Sequence, residues 1–370
     1  MKYFWQQEKL FFSAEDYFQA LLVDIEQARS SLVLESYIFH HDDTGHRVLS
    51  ALKSAASRGV AVRVLIDGVG SDRDAHLIAA ELVGCGVDAR IFRPLPWNFS
   101  IFRHAHQRVA GWRRWWNFLL RINRRNHRKL CVIDGRIAWV GSFNITNDHF
   151  GREGLAWKDL AARVEDDNVR QLQDSFDDIW RRINHPRRRD RLRNFFSNHS
   201  HRMRQVKNAH LIKLIQHAKH RIWITNAYFS PSLDFLKALA EANRRGVQVR
   251  VMVPQKSDIF LFPALSSTYY ADLLKAGIGV YEYQNRILHE KSMLIDDLAI
   301  VGSTNLNYRS LFHDLELDVL LNQPHSIREL SSRFDADLKE CVEITAPRLR
   351  RYPFPLLWLG WLSRLFRYWL

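Results

Sequence analysis

Two strings, HRKLCVID at 127–134 and HEKSMLID at 289–296, are fragments of a longer internal repeat. ALKSAASRGVAVRVLIDG (51–68) parallels ALAEANRRGVQVRVMVPQ (238–255), and DIEQARSSLVLESYIF (24–39) parallels LIQHAKHRIWITNAYF (214–229). Each copy reads as helix, strand, helix, strand, with a histidine-bearing strand further on. The helical stretches carry apolar residues at helical spacing, a glycine follows an arginine, and a β-branched run closes the unit. Alternation of this kind confines the chain to α/β layers. Two like halves pack most simply about a pseudo-twofold axis, and 370 residues are enough for two cores.

The halves differ between the glycine and the histidine, Gly59 to His127 being a longer interval than Gly246 to His289. The excess falls at about 94–126, a stretch free of Asp and Glu, rich in Arg and carrying Trp112, Trp115 and Trp116. A basic segment at 186–204 reads as a linker, and 346–370 as a basic-aromatic tail. The expected organisation is a first domain at 1–185 containing that insertion, the linker, a second domain at 205–345, and the tail. Arg364 and Arg367 interrupt the tail too early for the ~20 apolar residues of a membrane crossing. Read as a helix after Pro355, it presents Trp358, Trp361 and Trp369 beside Arg348, Arg350 and Arg351, the pattern of a membrane-interface helix.

Net charge points to a polyanionic partner: 54 Lys and Arg against 40 Asp and Glu give +14. The 12 Trp and 22 Phe favour an anionic membrane surface over nucleic acid. Cys85, Cys131 and Cys341 are far apart and in no metal-ligand spacing, which implies a reducing compartment without disulfides. The N-terminus lacks the apolar core of a signal peptide.

Side chains on a strand repeat every two residues, so His127 and Lys129 share a face, as do His289 and Lys291. Asp134 and Asp296 stand at the turns that follow. Each next strand ends in a small-residue turn, VGSFN with Ser142 and Asn144, and VGSTN with Ser303 and Asn305. These four are expected to donate hydrogen bonds toward the lysines. A lone H-x-K is commonly structural; two copies inside matching halves, each followed by G-S-x-N, point to chemistry. Brought together, two imidazoles and two ammonium groups suit phosphoryl transfer. One histidine attacks phosphorus, and the other protonates the leaving oxygen and then deprotonates the incoming nucleophile. The lysines and asparagines hold the non-bridging oxygens, so no metal or cofactor is expected. His40 and His41 read as a polar loop rather than a metal site, and His199 and His201 as part of a solvated linker. Glu35 and Asn226, at equivalent positions, are candidates for lining the cleft.

On these residues the chain resembles the phospholipase D superfamily, with its paired H-x-K-x4-D-x6-G-S-x-N motif. His127, Lys129, Asp134, Gly141, Ser142 and Asn144 fit the first copy. His289, Lys291, Asp296, Gly302, Ser303 and Asn305 fit the second with one residue fewer before Gly302, read as a shortened hairpin. Within the superfamily, LESYIFHHDDTG, WKDLAARVEDD, NAYFSP and GSTNLNYRSLFHDLELDV are similar to bacterial cardiolipin synthases of the short type. The resemblance implies two phospholipase D-type α/β/α sandwich domains. It implies that Asp159 and Glu316 accept a hydrogen bond from an imidazole Nδ1 and so fix the tautomer. It further implies a phosphatidyltransferase at the bacterial inner membrane, attached peripherally, that joins two phosphatidylglycerol molecules and releases glycerol. The triads are shared with phospholipase D hydrolases and with nucleases of the superfamily, so they leave transfer and hydrolysis open, as the residues leave oligomeric state open. A non-enzymatic membrane-binding protein is disfavoured by two intact H-x-K sets.

Overall fold

The computed structural model describes residues 3–94, 124–151, 155–181, 194–351 and 354–365. Seventeen strands are described: β1 (Gln7–Phe11), β2 (Ser31–Ser36), β3 (Ala61–Asp67), β4 (Asp88–Phe92), β5 (Leu130–Ile133), β6 (Ile137–Gly141), β7 (Trp157–Lys158), β8 (Ala161–Glu165), β9 (Phe195–Ser197), β10 (Arg221–Asn226), β11 (Gln248–Pro254), β12 (Gly279–Tyr283), β13 (Ile287–Leu288), β14 (Lys291–Ile295), β15 (Leu298–Gly302), β16 (Leu317–Leu321) and β17 (Cys341–Glu343). One sheet runs β1-β8-β6-β5-β2-β3-β4 and the other β9-β16-β15-β14-β10-β11-β12-β17. Apart from β17 the two orders are the same, so each half repeats the other. In each, three parallel strands continue into antiparallel ones at the histidine-bearing strand.

Apolar runs such as LVL of β2 and VMV of β11 give strands covered on both faces. Leu32 and Leu34 of β2 point to an outer core under the helices at 14–26, 43–57 and 72–84, whereas Val33 points to a central core. That central core is common to both halves: Val33, Leu130 and Val132 pack in one cluster with Trp223, Leu294 and Val319, and with the helices at 170–180 and 324–338. The second half has its own outer core beneath the helices at 201–217, 233–244 and 261–267. Each fully buried Leu, Ile or Phe contributes on the order of 1.5–3 kcal/mol. A layer shared by two sheets therefore binds the halves more firmly than a surface contact would. Helix starts follow sequence chemistry: Ser13, Asp42, Ser200 and Ser232 each accept a backbone N–H of the first turn.

The segment expected as a linker at 186–204 is partly core. Phe195 faces the central cluster and Phe196 the outer one, making β9 an edge strand of the second sheet. His199 is buried rather than solvated, and Arg204 turns its guanidinium back onto the Asn198 carbonyl. The cause is the apolar pair of phenylalanines, which basic neighbours masked in the sequence. Residues 186–193 of that segment lie outside the described residues. So does the basic-aromatic insertion of about 94–126, except for Pro94 and Arg124–Asn126.

The tail forms a helix at Phe354–Leu365 that packs on the helix at 261–267. Contact is close at Gly360, where a Cβ would lie 2.1 Å from the Ala264 carbonyl oxygen, and Ser363 is buried in the seam. On the other side Trp358, Trp361 and Leu365 are 61%, 57% and 76% exposed. No helix among the described residues is long and apolar enough to cross a membrane.

Candidate active site

Each histidine is anchored by its backbone to the opposite half. His127 N–H donates to the Leu315 carbonyl and His289 N–H to the Lys158 carbonyl, 3.0 and 2.9 Å away. The parallel pairing of β13 with β7, and the bridge between Asn126 and Leu315, complete these two junctions. The residues that follow Leu315 and Lys158 are Glu316 and Asp159. The carboxylates are therefore exchanged: His127 Nδ1 lies 3.1 Å from Glu316 Oε2, and His289 Nδ1 lies 2.9 and 3.0 Å from the two oxygens of Asp159. In the sequence each acid simply follows its own motif; the crossing arises only when the halves pack.

The four motif side chains are almost completely buried, and their charges feel one another. Burial first, then Lys129, Lys291 and His289, hold His127 well below the ordinary imidazole value. Lys129 is pushed down to about 7 by burial and by repulsion from Lys291. Burial lowers Lys291 to about 8, against the pull of Asp159 and Asp258. Each ammonium meanwhile donates to the backbone carbonyl of its own histidine. Lys129 also lies 5.1 Å from the Tyr37 ring centre and Lys291 5.6 Å from that of Tyr228. The Tyr37 ring meets His127 edge-on, and Trp157 packs on His289 with centroids 4.5 Å apart.

The serines and asparagines do other work than expected. Ser142 Oγ accepts from the Leu160 N–H and lies within hydrogen-bond reach of the Leu160 carbonyl; Ser303 Oγ accepts from the Leu317 N–H and donates to Glu316 at 2.5 Å. They staple the motif strand to the strand that carries the carboxylate, rather than reaching the lysines. Gly141 and Gly302 permit that approach: a Cβ there would lie 2.5 Å from the Leu160 oxygen or 2.3 Å from the Leu317 oxygen. Asn144 Oδ1 accepts from Ile38 N–H, and its Nδ2 makes no hydrogen bond. Asn305 N–H donates to Ser310 Oγ, and Asn305 Oδ1 has no partner.

Asp134 and Asp296 sit at the other end of the motif strands, away from the imidazoles. Asp134 accepts the N–H groups of Arg29, Ser30 and Ser31, and Asp296 those of Lys219, His220 and Arg221. Both occupy left-handed backbone, with φ of 52° and 49°. The missing residue of the second motif is lost from this turn: three residues join β5 to β6 and two join β14 to β15. Ser303 N–H still meets the Leu317 carbonyl as Ser142 N–H meets that of Leu160. Glu35 does not line a cleft; it forms a fully buried ion pair with Arg128 at 2.8 Å. Asn226 holds the G-S-x-N loop through Leu306 N–H and the Thr304 carbonyl. His41 pairs with Glu81, and His40 contacts Thr146.

Three residues at the site escaped sequence reading. His149 Nδ1 lies 3.2 Å from Asp159 Oδ2, and its ring is enclosed by Phe18, Phe143 and Trp157. Ser310 stands at the same offset from Asn305 as His149 from Asn144, and its Oγ donates to Glu316. Lys158 bridges Glu290 and Asp337 in a buried cluster, at 2.5 and 2.8 Å. Aligning the two copies residue by residue past G-S-x-N would have exposed the first two.

A duplicated α/β chain that joins two H-x-K strands across a pseudo-twofold axis, each histidine seated on a carboxylate of the other half, has the architecture of the phospholipase D superfamily. Residues 21–180 and 211–338 match the family described as cardiolipin synthase, PLD-like domain, and the chain belongs to that family. Cardiolipin synthase B of Escherichia coli K12 is 32% identical over 91% of this chain and 82% of its own length. A probable cardiolipin synthase of Bacillus subtilis is 30% identical over 91% of this chain and 67% of its own. Among solved structures, a phosphatidylserine synthase from Haemophilus influenzae shares the fold with a TM-score of 0.71 at 15% identity, covering 100% of this chain and 97% of that one.

Proposed function

We propose that the protein is a cardiolipin synthase that moves a phosphatidyl group between two phosphatidylglycerol molecules through a phosphatidyl-histidine. The carrying observation is the unlike environment of the two Nδ1 atoms. His127 Nδ1 faces the Ser303 carbonyl at 3.1 Å as well as Glu316. A carbonyl only accepts, so the proton resides on Nδ1 and the Nε2 lone pair is free to attack. His289 Nδ1 faces both oxygens of one carboxylate, which suits an imidazolium. His127 Nε2 forms the N–P bond while the P–O bond to glycerol breaks and the His289 Nε2 proton passes to that oxygen. His289 then takes the proton of the second lipid's hydroxyl, whose oxygen displaces His127 from phosphorus. Lys129 and Lys291 neutralise the non-bridging oxygens, and Asn144 Nδ2 donates a hydrogen bond to one of them. The two lysines supply the positive charge that a metal would, so activity is expected to survive EDTA.

The lipid partner fits the tail. Trp358, Trp361 and Leu365 form an exposed apolar face of the tail helix, which follows Arg348, Arg350 and Arg351 in the chain. Such a face suits peripheral attachment to an anionic inner membrane, each basic residue near the surface contributing on the order of 1 kcal/mol.

Purified protein incubated with labelled phosphatidylglycerol tests the reaction. Cardiolipin and glycerol are expected, with His127→Ala and His289→Ala both inactive yet folded, and the trapped phosphatidyl group mapped to His127. Phosphatidic acid as the product would make the enzyme a hydrolase, and a label on His289 would reverse the roles.

A further inference from the structure

The pseudo-twofold symmetry breaks at one side chain in contact with each carboxylate. In the first half, His149 places Nδ1 3.2 Å from Asp159 Oδ2, with its donor direction imperfectly aligned in the resting site. Its Nε2 lies 3.2 Å from Asn144 N and 3.0 Å from Asn144 O. In the second half Ser310 fills the corresponding place, donating its hydroxyl to Glu316 and accepting from Asn305 N–H. Asp159 thus lies between two imidazoles, while Glu316 receives two hydroxyls and one imidazole.

We propose that His149 is a positioning residue, which commits Asp159 to the anion and thereby makes His289 the proton donor to the leaving alcohol, with His127 as the nucleophile. This rests on the phosphatidyl-transfer reading above. The physical basis is the kind of donor, rings that can carry charge against neutral hydroxyls, since Glu316 has the larger number. A buried carboxylate stays ionised only when its oxygens are satisfied by donors or cations. Asp159 has Nδ1 of His289 on both oxygens and His149 on Oδ2, and, although burial opposes it, is held well below the carboxylate range. Glu316, with neutral hydroxyls in place of the second ring, is pushed by burial to about 7. Burial lowers His289 below the ordinary imidazole value, and the anion of Asp159 opposes that fall and so favours its imidazolium. His127 keeps its Nδ1 proton through the Ser303 carbonyl whatever the state of Glu316. The exchange of His149 for Ser310 thus adds to the unlike surroundings of the two Nδ1 atoms in setting the direction in which the site runs.

The test uses two leaving groups. Phosphatidylglycerol expels an alkoxide that must be protonated, whereas a phosphatidyl p-nitrophenyl ester expels a phenolate that need not be. His149→Asn places an amide N–H where Nδ1 stands, and His149→Gln places one where Nε2 stands. His149→Gln is expected to lower kcat at least about tenfold on phosphatidylglycerol but less than about threefold on the p-nitrophenyl ester. His149→Asn should remain near wild type on both, and Ser310→Ala should lose equally on both. Equal losses for His149→Gln on the two esters, or His149→Asn behaving as His149→Gln does, would overturn the proposal. Should the wild-type protein turn over neither lipid, the phosphatidyl-transfer reading fails; the same pair of leaving groups on the phosphodiester that it does cleave still reads the ratio.

Discussion

Two ammonium groups buried in one site hold their protons poorly, and this makes anion binding pH-dependent at the residue scale. Lys129 at about 7 and Lys291 at about 8 are both charged below pH 7 and discharge as pH rises through 7 to 8. The inhibition constant of a short-chain phosphonate analogue, whose single charge is constant between pH 6 and 9, is therefore expected to be flat below 7. It should then weaken by up to about tenfold per unit for each lysine lost. An inhibition constant unchanged to pH 9 would contradict these values. The carboxylates are likewise unequal. Asp159→Asn removes the anion that His289 needs, with an expected loss in kcat of about 10²–10⁴. Glu316→Gln retains an acceptor beside the Ser303 carbonyl and should lose far less, on the order of tenfold. Steady-state rates of the two variants compare them directly.

At the scale of elements, Gly141 and Gly302 are required by the close approach of neighbouring strands, not by turn geometry. The Leu160 and Leu317 carbonyls occupy the space that a Cβ would need. Gly302→Ala is expected to destabilise by about 1–3 kcal/mol through overpacking, read from denaturant unfolding, and to displace Ser303 from Glu316. The tail helix is bound to the protein by one face and bare on the other. Deleting it would uncover the helix at 261–267, so the informative variant is the triple change Trp358→Ser, Trp361→Ser and Leu365→Ser. Binding to vesicles containing phosphatidylglycerol should weaken while Tm stays within a few degrees. Unchanged binding would remove the tail from the membrane contact.

In the whole molecule the halves are interdependent through a shared core and a buried charge cluster. Lys158 comes from the first half; Glu290 and Asp337 come from the second. Its carbonyl also fixes the backbone of His289. Lys158→Ala leaves Glu290 without its cation and Asp337 with Arg333 alone, a change expected to cost about 3–5 kcal/mol, with activity falling alongside stability. Denaturant unfolding and turnover measured on the same preparation test both. If stability is lost while the remaining folded protein works at the wild-type rate, Lys158 serves only the fold.

Much of this was legible because it is local. Strand alternation put His127 with Lys129 and His289 with Lys291, the repeat implied two like halves, and the position of Asp134 and Asp296 after apolar runs marked them as turn-formers. The two phenylalanines of β9 were hidden within a basic stretch, and the buried pairing of Glu35 with Arg128 is invisible in a sequence that shows only equivalent strand positions. Sequence by itself determined which residues each half contributes, because periodicity of two or 3.6 residues is a property of the chain. Only the tertiary structure decided which half serves which histidine: Glu316 and Asp159 cross over because His127 and His289 pair their backbones with Leu315 and Lys158 of the opposite half. The asymmetry of His149 and Ser310 has meaning only after that crossing, since a side chain five residues past an asparagine acquires a role from the carboxylate that folding places beside it.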